Sequence, residues 1–575
     1  MRYHDVREAR FLSRPNRFIA HVELDGKEEV VHVKNTGRCR ELLTPGARVW
    51  LAEGKNPDRK TRWDLIAVQK GNRLINMDSQ APNQVAREWL EAGGLFPRAD
   101  RIQPEYTYGN SRFDLYAEAE GRKILMEVKG VTLEEEGVVR FPDAPSQRAV
   151  KHLEELVRAR EEGYETYVFF VIQMKDVKYF TPNRETHPEF AQALEAAAAA
   201  GVKILACDCR VEPARLEAAD PVPVVLGDPI FYEMREPLVQ WYRENRRDLP
   251  WRQQPSPYHV WVSEIMLQQT RVEAVKPYYQ RFLAALPAVK DLAEVPEDQL
   301  LKLWEGLGYY NRVRNMQKAA RQVMADYGGE FPVTYEGIRS LAGIGSYTAG
   351  AIASFAYGLP KPAVDGNVLR VIMRLTGDDS DIMKQSTKKQ VEEKLEPVIP
   401  ADAASDFNQG LIELGALVCV PNGQPKCEAC PLAGMCRARM EGRIEELPVK
   451  TRAKERRIEK RTILVFRDGE KTAICKRPDK GLLAGMYELP NYLGHMSRKE
   501  VAAYSKEIGL MPVRIKKLPE AKHIFSHVEW HMTGYEVRVD ELEKTNEKGF
   551  LFIHPEEIQE RYPIPAAFGS YLPRS

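Results

Sequence analysis

The sequence predicts a multidomain chain: a small β-barrel, an α/β domain, an all-α domain and a closing α+β domain. Three observations predict it. At 575 residues the chain is far too long for one hydrophobic core. Strand and helix signals alternate up to Pro221-Val222-Pro223, after which helical periodicity runs from about 233 to 418, interrupted by a loop over 245–257. From Thr462 onward short apolar strands return, bounded by Gly, Pro and Asn.

Residues 18–22, 30–33 and 49–51 read as short alternating strands between turns, the pattern of a small barrel over residues 1–82. In the next segment, 83–229, strands over 168–172 and 202–206 flank a helix over 188–200, as in a βαβ crossover. Cys207 and Cys209, two apart after an apolar run, read as strand residues rather than ligands. The strands Arg112-Phe113-Asp114-Leu115-Tyr116-Ala117 and Ile124-Leu125-Met126-Glu127-Val128-Lys129 are joined across Glu120-Gly121, a plausible two-residue hairpin loop. That loop sets Asp114 opposite Glu127, and Lys129 shares the face of Glu127. Two facing carboxylates and a lysine make a candidate magnesium site able to activate water against a phosphodiester. A charged, solvated strand face is the alternative.

In the helical segment, 230–440, the hairpin Leu341-Ala342-Gly343-Ile344-Gly345-Ser346-Tyr347-Thr348-Ala349 places two glycines before a helix predicted over 347–357. A helix start with bare amide N–H groups is a phosphate site. Gly358 and Pro360 end that helix, and Asp365 follows in Ala363-Val364-Asp365-Gly366-Asn367. The stretch reads as a DNA clamp beside an acid, or as a plain αα-hairpin with a glycine turn. A second acid, Glu264, lies in the mostly apolar Trp261-Val262-Ser263-Glu264-Ile265-Met266-Leu267-Gln268-Gln269-Thr270, where a bare carboxylate is costly unless a site uses it. Removing a base from deoxyribose needs such a pair: an acid for the leaving base and a carboxylate for the oxocarbenium-like sugar.

Four of the eight cysteines crowd into Cys419-x7-Cys427-x2-Cys430-x5-Cys436, which argues for metal rather than disulfides. Zinc ribbons usually show two tight CxxC pairs, and here there is one. The net charge of +1 excludes a uniformly basic DNA-coating protein but not local patches. Residues 450–461, which begin within the linker 441–460, hold seven basic and two acidic residues, and residues 1–80 hold sixteen against eleven. The N-terminus has no apolar leader, and nowhere do eighteen apolar residues run together. A soluble, cytoplasmic bacterial protein, monomeric and without a membrane partner, is expected.

The hairpin with Asp365 resembles the helix-hairpin-helix, Gly-Pro-Asp superfamily of base-excision glycosylases, with Ala342 where proline is common. The resemblance narrows to MutY-type adenine DNA glycosylases over 230–575 through residues 261–270, Leu249-Pro250-Trp251-Arg252, Gly306-Leu307-Gly308-Tyr309-Tyr310 and Asn408-Gln409. It implies that Glu264 protonates adenine, that Asp365 stabilises the sugar cation or briefly bonds to it, and that Asn367 and Tyr347 assist. It further implies that Gln269 and Tyr309 wedge into the base stack, that Gly343 and Gly345 meet DNA, and that Arg252 and Gln409 line the adenine pocket. Tyr347 stands where the endonuclease III type carries a Schiff-base lysine, so monofunctional hydrolysis is expected. The cysteine spacing resembles the four-iron, four-sulfur loop of this branch, with a first gap one residue longer than its commonest form. Cys419, Cys427, Cys430 and Cys436 would hold the cluster, and Lys426, Arg437 and Arg439 would face phosphate.

Residues 461–575, through Gly481-Leu482-Leu483-Ala484-Gly485-Met486-Tyr487-Glu488-Leu489-Pro490, resemble the Nudix-related domain of MutY, without the glutamate cluster that hydrolysis needs at 501–510. Phe525-Ser526-His527 matches the loop that detects 8-oxoguanine in that family. Oxidation turns guanine N7 from acceptor into donor, and a serine oxygen can accept from it. The implied partner is duplex DNA with adenine opposite 8-oxoguanine or guanine.

Residues 1–229 resemble the SfsA, sugar fermentation stimulation, family through Arg14-Pro15-Asn16-Arg17-Phe18, Asn35-Thr36-Gly37-Arg38, Glu127-Val128-Lys129-Gly130-Val131-Thr132-Leu133, Phe141-Pro142-Asp143-Ala144-Pro145 and Lys151-His152-Leu153. This implies an OB-like barrel followed by a PD-(D/E)xK-like α/β domain with Asp114, Glu127 and Lys129 as its nuclease-type site, and DNA binding with a regulatory role in sugar metabolism. Magnesium-dependent nuclease and non-cleaving regulator remain rival readings of this half. For the whole chain, the rival to a repair enzyme is a DNA-binding regulator carrying a degenerate glycosylase.

Overall fold

The computed structural model describes the chain except residues 36, 38, 55–58, 110, 452–454, 479, 540–548 and 573–575. Thr36 and Arg38, and Arg452 and Lys454 of the basic run, thus lie outside the described residues. The chain divides into two compact units, Met1–Tyr232 and Glu233–Ser575.

In the first unit, six strands from Val6–Asn16 to Arg73–Asn76 form one sheet. Lys27–Val33 pairs with Ile19–Leu24 on one side and, in parallel, with Trp63–Lys70 on the other, so the sheet closes into a barrel. Val31, Val33, Leu51 and Leu65 are buried inside. A second six-stranded sheet runs in the order Arg215–Pro221, Lys203–Glu212, Glu165–Ile172, Arg122–Val131, Ser111–Ala119, Arg101–Tyr108. Its central strand Glu165–Ile172 lies parallel to both neighbours and is apolar on both faces, as helices on each side require. Val168, Phe170 and Ile172 pack with Leu153, Leu156 and Phe190 of helices Gln147–Glu161 and Pro188–Ala199. Tyr167, Phe169 and Val171 pack with Val85 and Leu90 of Ala81–Glu91. Cys207 and Cys209 are buried in their strand. A small sheet of Leu133–Glu135, Val138–Phe141 and Tyr179–Pro182 carries no alternation long enough to be read from the sequence.

The second unit opens with helices. Pro257–Leu267, Ser346–Tyr357, Gly366–Thr376 and Ala404–Leu417 are those that build the site. The stretch expected as a loop over 245–257 contains a short helix, Pro250–Gln253, because buried Trp251 packs edge-on against Tyr279. Gly350 permits a close approach: a Cβ there would lie 1.9 Å from the Pro362 carbonyl oxygen. From Arg457 a seven-stranded sheet follows, with Arg457–Asp468 parallel to Val528–Val539, which pairs in turn with Pro512–Ile524. Met486 and Leu483, from the loop between strands Lys471–Lys476 and Tyr487–Glu488, join the apolar core of the helices that also holds Trp304 and Leu307.

Candidate functional site

A cavity of about 650 Å³ in the helical domain is lined by Glu264, Tyr347, Asp365, Asn367, Arg252, Gln409 and Gln269, so the structure brings together residues spread over 158 positions. Glu264 projects from Pro257–Leu267 and is 6% exposed. Its Oε2 accepts from the Tyr347 hydroxyl at 2.5 Å. Burial pushes its carboxyl up to about 7, against the phenol bond that lowers it, with the Asp365 charge adding to the rise. Asp365 caps Gly366–Thr376: Oδ1 accepts from the Asn367 and Val368 N–H groups at 2.9 and 2.8 Å, and Oδ2 from Asn367 Nδ2 at 2.7 Å. Burial still raises it above the ordinary aspartate value, while these donors hold it down.

The adenine-pocket candidates meet directly, Arg252 Nε donating to Gln409 Oε1 at 2.9 Å. Both belong to a network that the sequence reading missed. Fully buried Glu413 accepts from Arg252 at 3.0 Å and from Arg247 at 2.8 Å. Against its burial, the two guanidinium groups hold Glu413 down to about 2. The available signal was an acid four residues after Gln409 within the apolar Leu411-Ile412-Glu413-Leu414, hence on the same helix face.

Gln269 shares the apolar stretch 261–270 with Glu264, but the helix that carries Glu264 ends at Leu267. Gln269 sits beyond it at φ +59°, and Tyr309 sits at φ +49°, two left-handed residues that are not glycine. The Tyr309 hydroxyl donates to Gln269 Oε1 at 2.6 Å. Arg312 holds the turn beneath them, donating to the carbonyls of Ile265 and Gln268 at 2.7 and 2.6 Å. In the hairpin, Gly343 has φ +73° and would place a Cβ 2.6 Å from Asn315 Cβ. Gly345 is extended, with open space around it, so its backbone does not demand glycine. Helix Ser346–Tyr357 starts with no side-chain cap on its amides.

Phe525, Ser526 and His527 form the tip between strands Pro512–Ile524 and Val528–Val539. Phe525 stacks edge-on against Trp530, whereas Ser526 and His527 are exposed. They share a cavity of about 840 Å³ with Tyr309 and Arg312.

Cys419, Cys427, Cys430 and Cys436 line one apolar pocket with Leu375, Leu414 and Leu432. All four thiols are free of disulfides, and Arg374 Nη1 points at Cys419 Sγ at 3.3 Å. Loop 420–426 closes through Lys426 N–H to the Val418 carbonyl at 3.0 Å. Lys426 and Arg439 are exposed, but Arg437 is drawn back onto the Thr376 carbonyl. Among the described residues, no group of three or more His, Cys, Asp or Glu forms a ready-made site for a single metal ion. Four thiolates around one apolar pocket suit an iron-sulfur group chemically.

In the first unit the expected hairpin register holds, Leu115 opposite Met126, with Glu120 and Gly121 both at positive φ in the two-residue loop. The Asp114 carboxylate accepts from the Val128 N–H and from Asn83 Nδ2, both at 2.8 Å. Burial, then the Glu127 charge, pushes it up to about 6. Lys129 Nζ donates to Glu127 Oε1 at 2.5 Å, and His152 Nδ1 bonds the same oxygen. Glu127 is 3% exposed, and its Oε2 is buried without a partner. Asn83 and His152 were not singled out by the sequence reading as site residues. The donors lie on helices remote in sequence.

Residues 12–77 match the SfsA N-terminal OB domain and 80–215 the sugar fermentation stimulation protein RE domain. Residues 262–401 match the HhH-GPD superfamily base excision DNA repair protein, and 461–574 the NUDIX domain. The sugar fermentation stimulation protein homolog of Desulfitobacterium hafniense is 62% identical over 226 residues, 39% of this chain and 99% of its own length. The structure of Pyrococcus furiosus SfsA in complex with Ca2+ is 26% identical at a TM-score of 0.37, covering 39% of this chain and 98% of that one. A thermostable thymine-DNA glycosylase is 30% identical at a TM-score of 0.34, covering 37% and 100%. Among the described residues, no helix is long and apolar enough to cross a membrane. Through its N-terminal 39% the chain belongs to the sugar fermentation stimulation protein family, and the same polypeptide continues into a base-excision DNA glycosylase domain and a Nudix domain.

Proposed function

We propose that the second unit hydrolyses the N-glycosidic bond of adenine lying opposite 8-oxoguanine or guanine in duplex DNA, without cleaving the strand. One observation carries this reading: Glu264, raised to about 7, faces the same cavity as Asp365, whose two oxygens accept three donors. The phenol of Tyr347 occupies Glu264 Oε2, so the acid proton resides on Oε1. Oε1 gives that proton to the departing base as the C1′–N bond breaks with its electron pair. The Asp365 carboxylate then lowers the energy of the sugar cation, and water adds to C1′ as it loses a proton to the Glu264 carboxylate. Arg252 and Gln409, tied to Glu413, hold the base, and Gln269 and Tyr309 enter the stack it leaves. Ser526 at the exposed tip accepts from the N7–H of 8-oxoguanine.

The domains of this reading are 1–82, 83–229, 230–440 and 461–575, with a basic linker at 441–460, in a cytoplasmic monomer. Cys419, Cys427, Cys430 and Cys436 would hold one four-iron, four-sulfur cluster, which stabilises the loop and presents Lys426 and Arg439 to phosphate.

Adenine release from a duplex with 8-oxoguanine opposite adenine tests the reading, using cluster-loaded protein. Glu264→Gln should slow release by about a hundredfold or more. Failure of the unaltered protein would sink the enzyme and favour a regulator with a degenerate glycosylase.

For the first unit, the unpartnered Glu127 Oε2 beside Asp114 favours a divalent-cation site and phosphodiester cleavage over regulation alone. Magnesium commonly binds through one or two carboxylates with water and substrate phosphate completing its shell, and Asp114 and Glu127 suit that role, with the Lys129 ammonium beside them to meet the attacking water or the phosphate. Cleavage lost in Asp114→Ala would favour the nuclease, and binding without cleavage the regulator.

A further inference from the structure

Glu127 is held asymmetrically. Its Oε1 takes two partners, Lys129 Nζ and His152 Nδ1, whereas Oε2 is buried with none. A buried carboxylate oxygen left bare costs free energy unless something later occupies it. The partner that sets this asymmetry from outside the strand is His152, on helix Gln147–Glu161. His152 is 5% exposed, and its imidazole lies edge-on to Phe113 at 6.0 Å. Arg148 Nε approaches its Nε2 at 3.5 Å, one helical turn away. A donor aimed at Nε2 leaves the proton on Nδ1, and that proton faces Glu127 Oε1.

We propose that His152 is the positioning residue of the cation site, fixing the Glu127 carboxylate so that Oε2 is turned toward Asp114 and a divalent ion. Lys129 cannot do this alone. It reaches Oε1 along its own strand from two residues away, on a flexible stem, and is free to follow the carboxylate as it turns. The imidazole is fixed by a buried helix and an aromatic edge, so it sets one rotamer. The arrangement matches what outer-shell partners do for metal-binding carboxylates, where removing one typically weakens affinity ten- to a hundredfold. The proposal rests on the cation reading of Asp114 and Glu127, and its test separates the two.

The test is calorimetric titration of the full chain with Mn2+ alone, taking as the site's signal the heat that Asp114→Ala removes. His152→Ala should weaken that binding at least about tenfold. His152→Asn, whose amide nitrogen falls near Nδ1, should stay within about threefold of the unaltered protein, while His152→Gln, which reaches toward the Nε2 position, should behave like alanine. Equal urea midpoints for the Asn and Gln variants would exclude a folding defect as the cause of their difference. Unchanged affinity in His152→Ala overturns the role of His152 and leaves the cation site standing. Absence of any heat that depends on Asp114 overturns both.

Discussion

Glu264 shows how burial sets chemistry at a single residue. Its ordinary value is 4.5 and its folded value about 7, so between those pH values the native state binds a proton that the unfolded chain releases. The stability this group contributes is therefore whole below about pH 4.5 and lost as pH rises to 7, a change of about 3 kcal/mol. Glu264→Gln lacks that titration. Urea unfolding should find the variant gaining on the unaltered protein across this window, by up to about 3 kcal/mol, while base release collapses. In the active protein, kcat/KM should fall as pH rises through about 7, because the acid proton is gone. Tyr347, a phenol raised well above its ordinary value by burial and by the charges of Glu264 and Asp365, forms no imine. Borohydride should trap no covalent complex between this protein and DNA, and a trapped adduct would contradict hydrolysis without strand cleavage. Glu264 and Asp365 were legible in the sequence because an acid in an apolar run and an acid after a glycine hairpin each break a local rule. Glu413 and His152 were not, since their partners lie more than twenty residues away.

At the scale of elements, the hairpin separates two glycines that look alike on paper. Gly343 needs its positive φ and its missing side chain, whereas Gly345 is extended with space around it. Gly343→Ala should cost about 1–3 kcal/mol in chemical unfolding and weaken duplex binding, and Gly345→Ala should stay within about 0.5 kcal/mol. The two-residue loop at Glu120-Gly121 sufficed to give the strand pair of Asp114 and Glu127 its register, since the length of a hairpin turn fixes which residues face each other. The end of the catalytic helix was harder. Leu267 to Thr270 carries no glycine or proline to mark it, and what stops the helix is Arg312, 44 residues away from Gln268, binding its carbonyl.

For the whole molecule, the switch from strand alternation to helical period and back again announced the order of the domains. Packing between them was not announced, because Met486 and Leu483 read as ordinary loop residues until the helical core surrounds them. The two compact units lead to a further expectation: residues 233–575 expressed alone should release adenine at a rate within about threefold of the full chain, measured at equal cluster loading. A larger loss would mean that the first unit takes part in repair. The anchoring of Met486 has one more consequence. A reading head on a slack tether samples many separations, but Met486 is locked in the core that also carries Trp261, the neighbour of Glu264 three positions before it. The distance between the Ser526 tip and the acid is then set by the fold, and on the proposed reading the second unit would work as a caliper that accepts a base pair of one width.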